Sequence, residues 1–156
     1  MKYYNEIKNK LIDNEVYKKV KDYSKNRNNL STYYAVGKLL YEAGNKYGEG
    51  IIKKYSERLV IEVGRNYNER TLRRIRQFYL VFKDEIWSTM STKLMWSHYT
   101  EILSLSNVNE INYYINITEE YNLRVRQLRE RIKNKEYQIL LKRGTKLKLP
   151  AYSIMS

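Results

Sequence analysis

Arg65, Arg70, Arg73, Arg74 and Arg76, followed by Gln77, form one cluster, and Arg124, Arg126, Arg129 and Arg131, followed by Lys133 and Lys135, form a second. A guanidinium is planar, permanently charged and forked. It can lay two parallel N–H donors on a phosphate or on a guanine edge, which a lysine ammonium cannot do. The chemistry on offer is recognition of an anion rather than the making of a bond. Steps of three and four place residues on one helix face. Arg70, Arg73, Arg74 and Gln77 share such a face, with Leu72, Ile75, Phe78, Tyr79 and Phe82 behind them. In the second cluster Val125, Leu128 and Ile132 form the apolar back, and Arg126, Arg129 and Lys133 lie elsewhere on the circumference.

The charge balance follows these clusters. Residues 65–83 carry a net +5, residues 124–148 a net +8, and the rest of the chain sums to zero against a total of +13. Localised positive charge is the footprint of a polyanion-binding surface, here nucleic acid and foremost duplex DNA. The wealth of Lys, Asn, Ile and Tyr reads as the imprint of an AT-rich genome, so Lys weighs less than Arg. Ten of the twelve Arg fall inside the two segments.

Several chemistries are disfavoured. Cysteine is absent, which removes disulfides, thiolate metal sites and cysteine nucleophiles together. With one histidine, a histidine-based metal site within a single chain is not expected. No cofactor is expected, and no enzymatic activity. The first residues, MKYYNEIKNKL, do not read as a secretory signal, and no apolar run approaches the ~20 residues of a membrane span. The expectation is a cytoplasmic protein without a membrane partner.

The elements behind the clusters are helical throughout, because apolar residues recur at helical spacing and no stretch alternates as a strand does. The expected fold class is all-α, a compact bundle of about seven helices over residues 1–143, or two small helical lobes, followed by a flexible tail at 144–156. The first helix carries Ile12, Val16, Val20 and Tyr23 on one face and ends near residues 25–29. The second runs over 31–43 and stops at Gly44, and the third covers 50–63 with Gly64 as its cap. Asn68 is the expected N-cap of a fourth through Phe82. Beyond Trp87, a fifth from about Ser91 to Leu103 turns Met95 inward, and a sixth over 108–121 buries Val108, Ile111, Tyr114 and Ile115. Asn122 is the expected N-cap of a seventh, interrupted at Lys135 and Glu136, where it could project from the body. The pairs at 50–82 and 108–140, each with a basic second helix, match the plan of helix, tight turn, helix.

Other residues invite sharper readings that the sequence does not favour. Trp96 and His98 tempt a catalytic role. Without a second His or any Cys they read as structural, Trp96 at the core edge and His98 as a capping or hydrogen-bonding group. Gly48 and Gly50 in KYGEG lack the longer spacing that cradles phosphate and read as a loop. Most of the Tyr residues belong to the core, while any exposed beside Arg could stack on unpaired bases.

Five segments, YYAVGKLL (33–40), KYGEGIIKKYSERL (46–59), LRRIRQFYLVF (72–82), LMWSHY (94–99) and VRQLRERIKNKEY (125–137), resemble in order the N-terminal domain of the YhcG family. These are bacterial proteins in which that domain precedes a nuclease-like domain of the PD-(D/E)XK fold. The resemblance covers roughly residues 1–148 and implies an α-helical module with a DNA-binding role. Two positions depart from the family pattern, Arg124 where Ser is usual and Met95 where Thr is usual. The family goes on into the nuclease-like region after the position of TKLKL (145–149), so a truncated member, a standalone module or an excised piece is expected. Nothing here supplies the Asp and Glu-x-Lys constellation for a divalent metal, and no nuclease activity is expected. The alternative is an interaction module whose basic faces meet an acidic partner, a second copy or a nuclease-like domain.

Overall fold

Helical apolar spacing becomes helix across the computed structural model, which describes residues 2–20, 25–83, 93–105 and 107–144. Eight α-helices and no strand occur among the described residues. Tyr23, Trp87, Ser91 and everything after Gly144 lie outside the described residues, as does the Val20 side chain. The chain divides into two compact units, residues 1–87 and 88–156.

The first unit holds α1 (Lys2–Val20), α2 (Lys25–Tyr47), α3 (Gly50–Glu62) and α4 (Glu69–Phe82). The buried stripe of α1 is Tyr4, Ile7, Leu11 and Asn14, whereas Val16, expected inward, is 57% exposed. The stripe is closed by a polar residue, which hides it from a count of apolar letters. Asn14 can be buried because it is satisfied from α2: Asn28 Nδ2 donates to its Oδ1 at 2.7 Å and its own Nδ2 donates to Asn29 Oδ1 at 2.9 Å. The same bonds explain why residues 25–29 are helical rather than a loop. Gly44 lies inside α2, which stops instead at Gly48, where φ is +91° and a side chain would be strained.

The pairing of α2 with α4 is the closest in this unit. A Cβ placed on Gly37 would lie 2.4 Å from the Ile75 carbonyl oxygen and 2.8 Å from Tyr79 Cβ, so only glycine lets the two backbones approach this far. Leu72, Ile75, Phe78 and Phe82 of α4 are buried at this contact and around it. Asn68 caps the helix as expected, its side chain accepting from the Thr71 N–H at 3.0 Å. The connection from α3 to α4, residues 63–68, is longer than the three- to four-residue turn of a helix-turn-helix unit.

The second unit holds α5 (Trp96–Ile102), α6 (Val108–Tyr121), α7 (Val125–Lys133) and α8 (Glu136–Lys142). Met95 is 55% exposed because it is the N-cap of α5 and not part of its buried face. Val108 is likewise exposed, at the first position of α6, which Asn107 caps by accepting from the Asn109 and Glu110 N–H groups. Asn122 does not begin α7. It ends α6 in the left-handed conformation at φ 50°, its N–H returning to the Thr118 carbonyl, and Arg124 takes the N-cap position instead.

The expected interruption of the seventh helix is a full break. Lys135 is left-handed at φ 56°, and α8 does not project. It is bonded back to α6, with Tyr137 N–H donating to Tyr114 Oη at 3.2 Å, Gln138 Nε2 to Glu110 at 2.9 Å, and Glu136 accepting from the Tyr113 hydroxyl.

Gly37→Ala is expected to destabilise the protein by about 1–3 kcal/mol, because the new methyl meets backbone rather than a movable side chain. Gly44→Ala, in the same helix, meets only Arg76 Nη1 at 3.7 Å, and is expected to be neutral or to stabilise by up to about 1 kcal/mol. Urea midpoints of the two variants check the contrast.

Burial raises the hydroxyl pKa of Tyr4, Tyr55, Tyr67, Tyr113, Tyr114 and Tyr137 above the ordinary 10.0, with carboxylates hydrogen-bonded to Tyr4, Tyr67 and Tyr113 adding to the shift. A raised pKa gives stability that is present below pH 10.0 and lost as the pH climbs above it, since the unfolded chain ionises first. An alkaline titration is expected to show these tyrosines ionising together with the loss of helical circular dichroism, at a pH above 10.0.

Candidate nucleic-acid interface

On α4, the Asn68 cap sets the start and the Gly37 contact sets the rotation, so the positions of the polar residues are fixed. Arg70 and Gln77 are exposed, Arg74 is half-buried, and Arg65 is exposed ahead of the cap. Among the described residues Arg65, Arg70 and Arg74 make no ion pair. Arg73 and Arg76 are different. Arg73 donates from Nε and Nη2 to Glu69 Oε2 at 3.0 and 2.8 Å, and from Nη1 to Glu49 Oε2 at 3.4 Å. Arg76 Nη1 bonds both Glu49 oxygens, at 3.0 and 2.8 Å, and its side chain is only 17% exposed.

Hydrogen bonding to Arg76 is the main cause that holds the Glu49 carboxyl below the usual range, while Glu69 holds the Arg73 guanidinium above its own. Glu49 is the residue the sequence reading missed. Its only local sign is an acid set between two glycines immediately before a helix.

On α7, the Arg124 backbone N–H donates to Gln127 Oε1 at 2.8 Å, which supplies half of the cap that a Ser would complete. Arg126, Lys133 and Lys135 are exposed, and together with Arg124 they make no ion pair among the described residues; Lys135 sits in the break after α7 rather than on it. Arg129 Nη2 donates to Glu101 of α5 at 3.0 Å, which holds its guanidinium above the usual range. Arg131 lies 3.5 Å from Glu136 and 5.5 Å from the Tyr121 ring centroid, where cation and ring attract. Glu49 and Glu101 both come from outside the two basic segments, so the folded surfaces carry less charge than a count along the sequence assigns to them.

His98 is occupied on both sides. Its Nδ1 accepts from the Met95 N–H at 3.0 Å, which leaves Nε2 to carry the proton toward the Leu123 carbonyl at 2.8 Å. The ring thus ties the start of α5 to the α6–α7 turn. No group of three or more His, Cys, Asp or Glu positioned to hold a metal ion occurs among the described residues. Nor is any helix there long and apolar enough to cross a membrane.

This all-helical chain, with its two arginine-bearing helices, belongs to the DUF1016 N-terminal domain family, whose profile matches residues 7–139. It is similar to the Escherichia coli (strain K12) protein named "Putative nuclease YhcG", at 26% identity over 69% of this chain and 38% of that protein. The chain thus spans well under half of that relative's length. No solved structure matches it.

His98→Ala is expected to lower stability by about 2 kcal/mol in urea denaturation, because it strands a backbone donor and a buried acceptor at once. An unchanged midpoint would show that water or a neighbour takes over both bonds.

Proposed function

We propose that the chain is a non-catalytic DNA-binding module of its family, acting through phosphate contacts from α4 and α7. The observation that carries this reading is the set of cations without an ion pair among the described residues, Arg65, Arg70 and Arg74 on one unit and Arg124, Arg126, Lys133 and Lys135 on the other. Acids do stand at helical spacing on both helices, Glu69 before Arg73 and Glu130 between Arg126 and Lys133, yet among the described residues neither forms an ion pair with any of these seven cations. Duplex DNA is the favoured target because a helix face bearing several guanidiniums can follow a phosphate backbone. The name of the relative, a nuclease by designation, is consistent with a module that delivers a chain to nucleic acid.

A second reading, a protein-docking module, is favoured by the exposed apolar side chains Ile139 and Leu141 of α8 and by Ile61, which is 85% exposed on α3. It is the reading that would stand if the chain formed a defined assembly in light scattering and failed to bind duplex.

Duplex binding followed by fluorescence anisotropy across a salt series is expected to give a log affinity that falls with log salt at a slope of about −4 to −5, the signature of four to six phosphates. Replacing Arg70 and Arg74 together with Ala is expected to weaken binding and to shallow that slope by about 2. A flat salt response, or no binding at low salt, overturns the proposal.

A further inference from the structure

Arg73 lies on the exposed side of α4 and Arg76 at its edge, and both reach one acid from another element, Arg73 while also held by Glu69 of its own helix. Nη1 of Arg73 and Nη1 of Arg76 converge on Glu49 Oε2, at 3.4 and 2.8 Å. The two guanidiniums are therefore already held in the arrangement that receives an oxyanion, with the position of one oxygen marked by the protein's own carboxylate.

We infer that Glu49 is an internal competitor for the phosphate site formed by Arg73 and Arg76, so that a DNA phosphodiester must displace it to engage that pair. The inference rests on the DNA-binding reading above and assigns a specific control to its α4 surface.

Three observations support displacement rather than a fixed structural bridge. The Glu49 side chain is 70% exposed, and an exposed ion pair adds little to stability because water screens it. Although Glu49 occupies the N-cap position of α3, its side chain makes no capping bond there, so the helix does not depend on the carboxylate. It is also flanked by Gly48, at φ +91°, and by Gly50, and added side chains at either glycine would meet nothing within 4 Å, so the surroundings leave the segment room to swing. Arg76, at 17% exposed, is the deeper member, and the bound carboxylate covers the atom that a phosphate would need. While Glu49 is in place the pair has few counterions to release. Its contribution to DNA affinity is correspondingly small.

The test compares wild type with Glu49→Gln for one duplex oligonucleotide across a salt series. Glu57→Gln serves as the control, since Glu57 is an exposed acid of α3 that makes no ion pair among the described residues. Glu49→Gln is expected to bind about three- to ten-fold tighter at low salt, with the log–log slope steeper by about 1, since Glu69 still holds Arg73. Glu57→Gln is expected to keep the wild-type slope. Adding Arg76→Ala to Glu49→Gln is expected to cancel the gain, which separates release of this site from a general change in charge. If Glu49→Gln matches wild type or the Glu57 control in both affinity and slope, the competitor role is wrong while DNA binding stands. If neither wild type nor Glu49→Gln binds at low salt, the DNA reading fails and this inference fails with it.

Discussion

The approach of α2 to α4 at Gly37 is the constraint on which the first unit depends. With the Ile75 carbonyl 2.4 Å from the place a Cβ would occupy, the two helices meet along backbone, and their rotation about their own axes is set by that contact. Leu72, Ile75, Phe78 and Phe82 must then face inward, and residues three and four positions away from them must face out. Direction on the arginine face is therefore a consequence of packing. The other side of α2 meets α1 through the Asn14, Asn28 and Asn29 amides, whose bonds fix the register of the two helices along their length. Geometry at such a polar pair is more demanding than at an apolar one, because a slip leaves buried donors without acceptors.

Carboxylates do much of the remaining organisation. Glu62 receives the Tyr4 hydroxyl at 2.5 Å together with Lys8 and Arg58, while the Arg58 guanidinium lies 3.9 Å from the Tyr4 ring centroid. Glu136 gathers the Tyr113 hydroxyl and Arg131 at the start of α8, and Glu15 gathers the Tyr67 hydroxyl and Lys18 on α1. In each case the acid joins a tyrosine from one element to a cation, so the aromatic ring can be buried while its hydroxyl stays satisfied. Tyr4, Tyr67 and Tyr113 are thus served by one recurring device.

The legibility of the sequence follows the range of the interactions. α4 could be read nearly to the residue because Asn68 caps it through a bond three residues long and its apolar stripe is unbroken. The face of α1 could not be read, since its fourth member is an asparagine whose partners lie in the next helix. Asn122 reads as a start because Asn suits both an N-cap and a left-handed helix end, while Lys135 is a left-handed residue that only the break in the apolar stripe betrays. The arginine face was legible as a face, but not in its charge state. Glu49 meets Arg73 and Arg76 across 24 and 27 positions, and Glu101 meets Arg129 across 28, beyond any pattern of helical spacing.

That difference between face and charge state divides the cations into two kinds. Those with no ion pair among the described residues, such as Arg70, Arg74 and Arg126, project a field that acts over a distance of ~10 Å at moderate salt and asks little of geometry. They suit the first encounter with a polyanion, and any phosphate within reach will serve. Arg73 and Arg76 contribute little to that field because Glu69 and Glu49 together offset it, yet their donors are held in place before a ligand arrives. Preorganised donors favour a ligand that matches their spacing over one that is merely negative. A surface made only of free arginines would bind every polyanion in proportion to its charge density. One in which part of the guanidinium set is exchanged rather than free discriminates by shape as well, since an anion unable to reproduce the carboxylate's contacts gains nothing by displacing it.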